Sequence, residues 1–184
     1  TLSDRNGFSI TCNGDDDGAI DITVTGGTST YTYAWTTLDG SGLVAADEDQ
    51  TGLGPGTYTV VATDENSCPI EASYTITEPD ALAISGTLSD RNGFSITCNG
   101  DDDGEIDITV TGGTSTYTYA WTTLDGSGLV AADEDQTGLS PGTYTVVATD
   151  ENSCLIEASY VTTEPKKIDF TGLLSDYTGF NISK

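Results

Sequence analysis

The sequence predicts an all-β chain of tandem β-sandwiches, and three observations predict it. Residues 1–79 and 87–165 differ at only five positions, Ala19/Glu105, Gly54/Ser140, Pro69/Leu155, Thr75/Val161 and Ile76/Thr162, which sets a repeat period of 86 residues. Apolar and polar residues alternate strictly over short runs, the period of a half-buried strand, while no apolar stripe of helical spacing persists. Turn residues punctuate these runs at close spacing, and roughly five to seven short strands per repeat argue for an immunoglobulin-like sandwich.

A period of 86 is too long for one turn of a solenoid and fits one small domain. The reading is a first bead at 1–79 whose first strand is cut off, a second at 80–165, and the opening of a third at 166–184. The third is signalled by "TGLLSDYTGFNISK" (171–184), which lies over "SGTLSDRNGFSITC" (85–98) and places Lys184 where the next cysteine would fall.

Within the first bead, Phe8 and Ile10 suggest a short strand ahead of the first cysteine. Ile20, Ile22 and Val24 then alternate with Asp21, Thr23 and Thr25. Gly26 and Gly27 break the chain, and Tyr31, Tyr33 and Trp35 alternate with Thr32, Ala34 and Thr36, so these two runs are expected to form a hairpin. A polar loop, "LDGSGLVAADEDQTGLGPG", leads to a third run on Tyr58, Val60 and Ala62, and a fourth follows on Ile70, Ala72, Tyr74 and Ile76. Leu82 and Ile84 suggest a short strand opening the second bead. Trp35 and Trp121 are the natural core anchors of the two beads.

Thirty acidic residues stand against five basic ones, Arg5, Arg91, Lys166, Lys167 and Lys184. Such a surface repels phosphate backbones and anionic lipid, so nucleic-acid and membrane-surface binding are disfavoured. No run of about 18 apolar residues is present, so no transmembrane helix and no direct membrane insertion are expected. Thr1 opens mid-pattern without a signal peptide, which places any export signal upstream. Regularly spaced tyrosines, tryptophans and β-branched residues argue against disorder.

Each repeat has two cysteines, Cys12 and Cys68 in the first, Cys98 and Cys154 in the second, and the chain has no histidine. Zinc needs clustered thiols or imidazoles, so the spacing favours a disulfide closed within each bead, as in small exported domains. Such a bond would bring "CNGDDDG" and "TDENSC" to one end of the bead. It would gather Asp15, Asp16, Asp17, Asp64 and Glu65, and in the second bead Asp101, Asp102, Asp103, Asp150 and Glu151. Two readings of that gathering stand open. Calcium takes six to eight oxygen ligands, and carboxylates from two loops are a usual source. Alternatively these are solvated turn residues, since Asn, Gly and Asp are what turns require.

The order "CNG…DG…I.ITV.GGT..Y.Y.W…L..GTY.V.ATD…C…..I.EP" resembles the SprB repeat of exported Bacteroidetes cell-surface adhesins, including those of gliding species. The resemblance runs from Cys12–Gly14 through Gly26–Gly27, Tyr31, Trp35 and Gly56–Tyr58 to Asp64, Cys68 and Glu78–Pro79, and again 86 residues on. It implies an extracellular, cell-surface location, adjacent repeats of the same chain as partners, export by the type 9 system, and a place in a long filament contacting surfaces or polysaccharide. It supplies no catalytic residue.

The leading expectation is therefore a structural stalk segment of a filamentous adhesin, with repetition giving reach. The alternative is a carbohydrate-binding or accessory module of a secreted multidomain protein, offering Tyr31, Tyr33, Trp35 or Tyr74 to sugars; alternation places most of these toward the core. An enzyme is not expected, because the chain lacks histidine, a nucleophile elbow and a glycine-rich phosphate loop. The segments "DALAISG" and "KKIDFTG" each precede a bead, so strand exchange between copies is a further expectation.

Overall fold

The structure, a computed structural model, describes residues 1–170. The expected third copy at 171–184 lies outside the described residues. Everything regular among those residues is β-strand.

The second bead shows the full arrangement. Strands β6 (Ala83–Leu88), β7 (Gly104–Thr111) and β9 (Gln136–Leu139) form one antiparallel sheet in the order β6-β7-β9. Strands β8 (Thr118–Thr123), β10 (Gly142–Thr149) and β11 (Leu155–Thr162) form the facing sheet, with β10 central. Along β7 the inward residues Ile106, Ile108 and Val110 are buried and Glu105, Asp107 and Thr109 are exposed, the alternation that a sheet with one wet face requires. Ile106 and Ile108, with Leu139 of β9, meet Trp121, Tyr144 and Val146 from the facing sheet to make one core.

Two details mark the sandwich as immunoglobulin-like. Trp121 on β8 is buried and donates its indole N–H to the Asp133 carbonyl at 2.9 Å. Tyr144, at the start of β10, is fully buried and donates its hydroxyl to the carbonyl of Ser140, four residues upstream, at 2.9 Å. That is the tyrosine corner of such folds. Trp35 and Tyr58 repeat both contacts in the first bead, to Asp47 at 2.8 Å and to Gly54 at 2.8 Å.

In the first bead β2 (Thr32–Thr37), β4 (Gly56–Thr63) and β5 (Pro69–Ile76) make the equivalent three-stranded sheet. The facing sheet is reduced to β1 (Gly18–Ile20) and β3 (Gln50–Leu53), with Leu2 bridged to Ile20. Its core joins Ile10, Ile20, Ile22, Trp35, Leu53, Tyr58, Val60 and Ile76. The strand Ala83–Leu88 pairs with β7, so it completes the bead that follows it.

Three expectations differ from the structure. The runs either side of Gly26–Gly27 do not form a hairpin: the first belongs to the β1/β7 sheet and the second to the β2/β8 sheet. Both glycines have positive φ, 87° and 66°, and the turn they make carries the chain from one sheet to the other. Phe8 and Ile10 form no strand; Phe8 bridges back to Arg5, and Ile10 is pinned in the core. The polar loop hides the strands β3 and β9, anchored by Gln50 and Gln136, each only 1% exposed. The Gln50 amide accepts from the Val44 N–H and donates to the Val44 and Asp47 carbonyls, so a buried polar group is satisfied by the loop it folds.

Candidate interaction interface at the junction of the beads

The chain leaves the first bead along Thr77–Asp80, and this strap is tied to the loop that carries Cys12. The amides of Ser9 and Ile10 donate to the Thr77 carbonyl at 2.9 and 3.1 Å. The Gly14 amide donates to the Glu78 carboxylate at 2.7 Å, and the Asn13 side chain to the Pro79 carbonyl at 3.0 Å. On the far side, Gly113 of the second bead donates its amide to the Asp80 carbonyl at 2.7 Å. A four-residue strap is thus hydrogen-bonded to both beads.

This geometry corrects the cysteine pairing. Cys12 sits at the Ile76 end of β5, whereas Cys68 precedes Pro69 at the other end. The strand between rises roughly 3.4 Å per residue and separates the two ends by about 24 Å. A disulfide needs α-carbons within about 7 Å, so no bond can close within the bead. The structure instead joins Cys12 to Cys154, α-carbons 5.7 Å apart, across the junction. Cys68 and Cys98 are free and exposed.

Hydrogen bonds surround the disulfide. The Asn6 side chain donates to the Asn152 side-chain Oδ1 at 2.8 Å, and the Asn152 Nδ2 donates to the main-chain carbonyls of Thr11 at 3.3 Å and Arg5 at 3.4 Å. Asn152 is presented by the β10–β11 turn, which Asp150 organises. Its carboxylate accepts from the Cys154 amide at 2.8 Å and from the Thr114 amide and hydroxyl at 2.8 and 3.0 Å. Gly113 beside it has φ +61°, and a Cβ there would lie 2.6 Å from that carboxylate. Only glycine admits so close an approach.

The acidic residues fall apart in the same way as the cysteines. Asp15, Asp16 and Asp17 lie at the Cys12 end, Asp64 and Glu65 in the opposite turn; Asp101–Asp103 and Asp150–Glu151 are likewise separated. The disulfide that was to gather them within one bead is not formed there. Several carboxylates act as backbone caps. Asp64 accepts the amides of Cys68, Thr28 and Asn66, which hold its carboxyl below the usual range against the opposing effect of burial. Burial pushes the Asp17 carboxyl up, but the Thr11 hydroxyl and amide and the Arg5 guanidinium, 3.4 Å away, together bring it below its ordinary value. Asp103 is lowered by the Thr97 hydroxyl and amide in the same manner. Among the described residues no three acidic, cysteine or histidine side chains converge as a metal-holding group.

The aromatic residues offer no open platform. Trp35 is 2% exposed and its ring centroid lies 6.0 Å from that of Tyr74. Tyr31 donates its hydroxyl to the Gly26 carbonyl. Tyr33 is half-buried, and burial together with the neighbouring Glu48 carboxylate pushes its hydroxyl up to about 12. Signals for the interface were present in the sequence as Asn6, Asn152 and the Thr-Glu-Pro strap, none of which composition or alternation singles out.

No curated protein matches the chain. Among solved structures, the C-terminal 282-residue fragment of intimin, in complex with the intimin-binding domain of its translocated receptor, is similar at 18% identity and a TM-score of 0.46. That likeness covers 89% of this chain, which spans 62% of the fragment. The SprB repeat model matches residues 9–40 and 95–126, one segment in each bead from just before its first cysteine to just past its tryptophan strand.

Proposed function

We propose that the chain is a stalk segment of a cell-surface adhesin, non-enzymatic, in which SprB beads are joined end to end to hold a binding region away from the cell. The observation that carries this reading is the built junction: a strap bonded to both beads, a side-chain cluster around Asn152, and the Cys12–Cys154 disulfide. Flexible linkers between independent modules have none of these. In the chain-entropy account a bond spanning 142 residues stabilises the folded arrangement by about 5 kcal/mol. Disulfides persist in oxidising surroundings, which fits a location outside the cell. The acidic surface, 30 acidic residues against five basic, suits solubility of a long exposed filament and not binding to nucleic acid. Contact with a surface or polysaccharide belongs, in this reading, to other parts of the parent molecule, and export follows the type 9 route.

Immunogold labelling of the source cells with an antibody against this chain tests the proposal. Label strung along threads leaving the cell is expected. Label confined to the culture fluid, with binding of the isolated chain on a glycan array, would replace the stalk with a secreted carbohydrate-binding module.

A further inference from the structure

We propose that Cys98 and Cys68 are the two open halves of the clasp that Cys12 and Cys154 form. Each takes a further repeat of the same kind, so that Cys98 of one copy bonds Cys68 of the next. The internal repeat supplies its own comparison, because Cys98 is the counterpart of Cys12 and Cys68 that of Cys154, 86 residues apart in each case. Cys12 and Thr11 are half-buried at the junction where Cys98 and Thr97 are exposed. Cys154, Thr114 and Asp150 are buried where Cys68 and Thr28 are exposed and Asp64 is half-buried.

Both open halves are already shaped. The Cys98 carbonyl accepts the Asp101 amide at 3.1 Å, as the Cys12 carbonyl accepts that of Asp15 at 3.1 Å. Asp64 accepts the Cys68 amide at 2.8 Å, as Asp150 accepts that of Cys154 at 2.8 Å. One side chain distinguishes open from closed. Asn66 donates to its own bead's Thr28 hydroxyl at 2.7 Å, whereas Asn152 has turned to the carbonyls of Arg5 and Thr11 in the neighbouring bead.

The surrounding surface repeats the same logic. The cleft at the closed junction, about 370 Å³, lies between Cys12 and Leu82 on one side and Gly113, Cys154 and Ile156 on the other. Its two walls recur as separate hollows, one at Cys98 with Lys166–Ile168 and one at Gly27 with Cys68 and Ile70. The first bead also has an apolar groove of about 240 Å³ lined by Ile22, Val24, Val60 and Tyr74. In the second bead Ile84 and Leu88 of β6 pack against the core beside Tyr160. One period after Leu82 and Ile84 stand Ile168 and Phe170, which are 86% and 94% exposed. The groove therefore fits the segment Lys166–Phe170 of a second copy. A surface that pairs one end with the other is heterologous and adds copies in line.

The chemistry needs an oxidant, and a small-molecule disulfide such as oxidised glutathione supplies it. The Cys98 thiolate attacks that disulfide and releases one glutathione; the Cys68 thiolate of the second copy attacks the mixed disulfide and releases the other. The two protons lost by the cysteines end on the two glutathione thiols.

The inference rests on the stalk reading's serial beads and extends them across molecules. The test incubates the chain in a mixed oxidised and reduced glutathione buffer, followed by non-reducing electrophoresis and mass spectrometry of the linked peptides. Dimers and higher steps joined Cys98 to Cys68 are expected, with Cys12–Cys154 retained in each. Cys98→Ser and Cys68→Ser chains are each expected to stay monomeric and, when mixed, to give one heterodimer. Symmetric Cys68–Cys68 dimers as abundant as that heterodimer would overturn the inference. So would chains that keep Cys12–Cys154 but form no Cys98–Cys68 bond, a result that leaves the stalk standing. Cys12–Cys68 peptides within one chain would overturn both.

Discussion

Cys12 and Cys154 belong to different beads, 142 residues apart in sequence, and their α-carbons are 5.7 Å apart. The two hydrophobic cores share no residue, so the bond fixes how the beads are arranged without forming part of either. A Cys12→Ser/Cys154→Ser chain is expected to keep its far-ultraviolet circular dichroism and tryptophan fluorescence. Its small-angle X-ray scattering should show a broader distribution of interatomic distances than the parent. An unchanged distribution would mean that the strap and Asn152 fix the junction alone.

The Asp64 cap gives a pH-dependent prediction. Its carboxyl is held below the ordinary value of about 3.9 by the Cys68 amide first, then by Thr28 and Asn66, so the folded state favours the ionised form. A depressed carboxyl contributes stability that is complete above the unfolded value and is lost as pH falls through the folded one. Asp64→Asn should therefore melt at a lower temperature than the parent at neutral pH. The gap should close in acid, as pH falls below the ordinary carboxylate value of about 3.9 and through the lower folded one. A gap that stays constant throughout the titration would show that the charge is not its source.

The tyrosine corner can be weighed by removing one oxygen. The Tyr144 hydroxyl lies 2.8 and 2.9 Å from the carbonyls of Ser127 and Ser140, which share its single proton, and accepts the Ser127 amide at 3.1 Å, all with the ring fully buried. Tyr144→Phe removes these contacts, but the Ser127 amide keeps the Ser140 hydroxyl at 2.7 Å and the Ser140 carbonyl keeps the Thr162 hydroxyl at 2.7 Å. The change should therefore cost about 0.5–1.5 kcal/mol, read from urea denaturation. Tyr58→Phe should cost more, about 1–3 kcal/mol, because Gly54 and Ile76 stand where Ser140 and Thr162 do, and the Ser41 amide and Gly54 carbonyl lose their partner. A loss below about 0.5 kcal/mol would mean that water replaces the hydroxyl.

Calcium is expected to leave the melting temperature unchanged relative to chelator-treated protein. Asp64 and Asp150 are committed to backbone amides, Asp17 to Thr11 and Arg5, and Asp16 accepts from the Ser41 hydroxyl at 3.1 Å. Heat of binding by calorimetry, together with a rise in melting temperature, would revive a cation at the Cys12 end.

The sandwich was legible because alternation on Ile106, Ile108 and Val110 or on Tyr58, Val60 and Ala62 is imposed by one buried face. Trp35 and Trp121 were legible as anchors for the same reason. What alternation cannot convey is which sheet a strand joins, and Gly26–Gly27 reads alike as a hairpin turn or as a crossing between sheets. The strand at Gln50–Leu53 escaped because its buried anchor is a glutamine, satisfied only by carbonyls and an amide that the fold brings to it. The cysteine partners escaped because spacing reports loop length and not which end of a bead a loop occupies. With β5 running between them, Cys12 and Cys68 face away from each other along the whole bead.

The strap and the disulfide also decide how such a chain responds to tension. A pull entering before Cys12 and leaving after Cys154 passes through the sulfur bridge, and the 141 residues between are a covalent side loop that carries none of the load. Were both cores to give way, an unbridged segment of that length would pay out on the order of 500 Å of contour. Bridged, it releases none of that length.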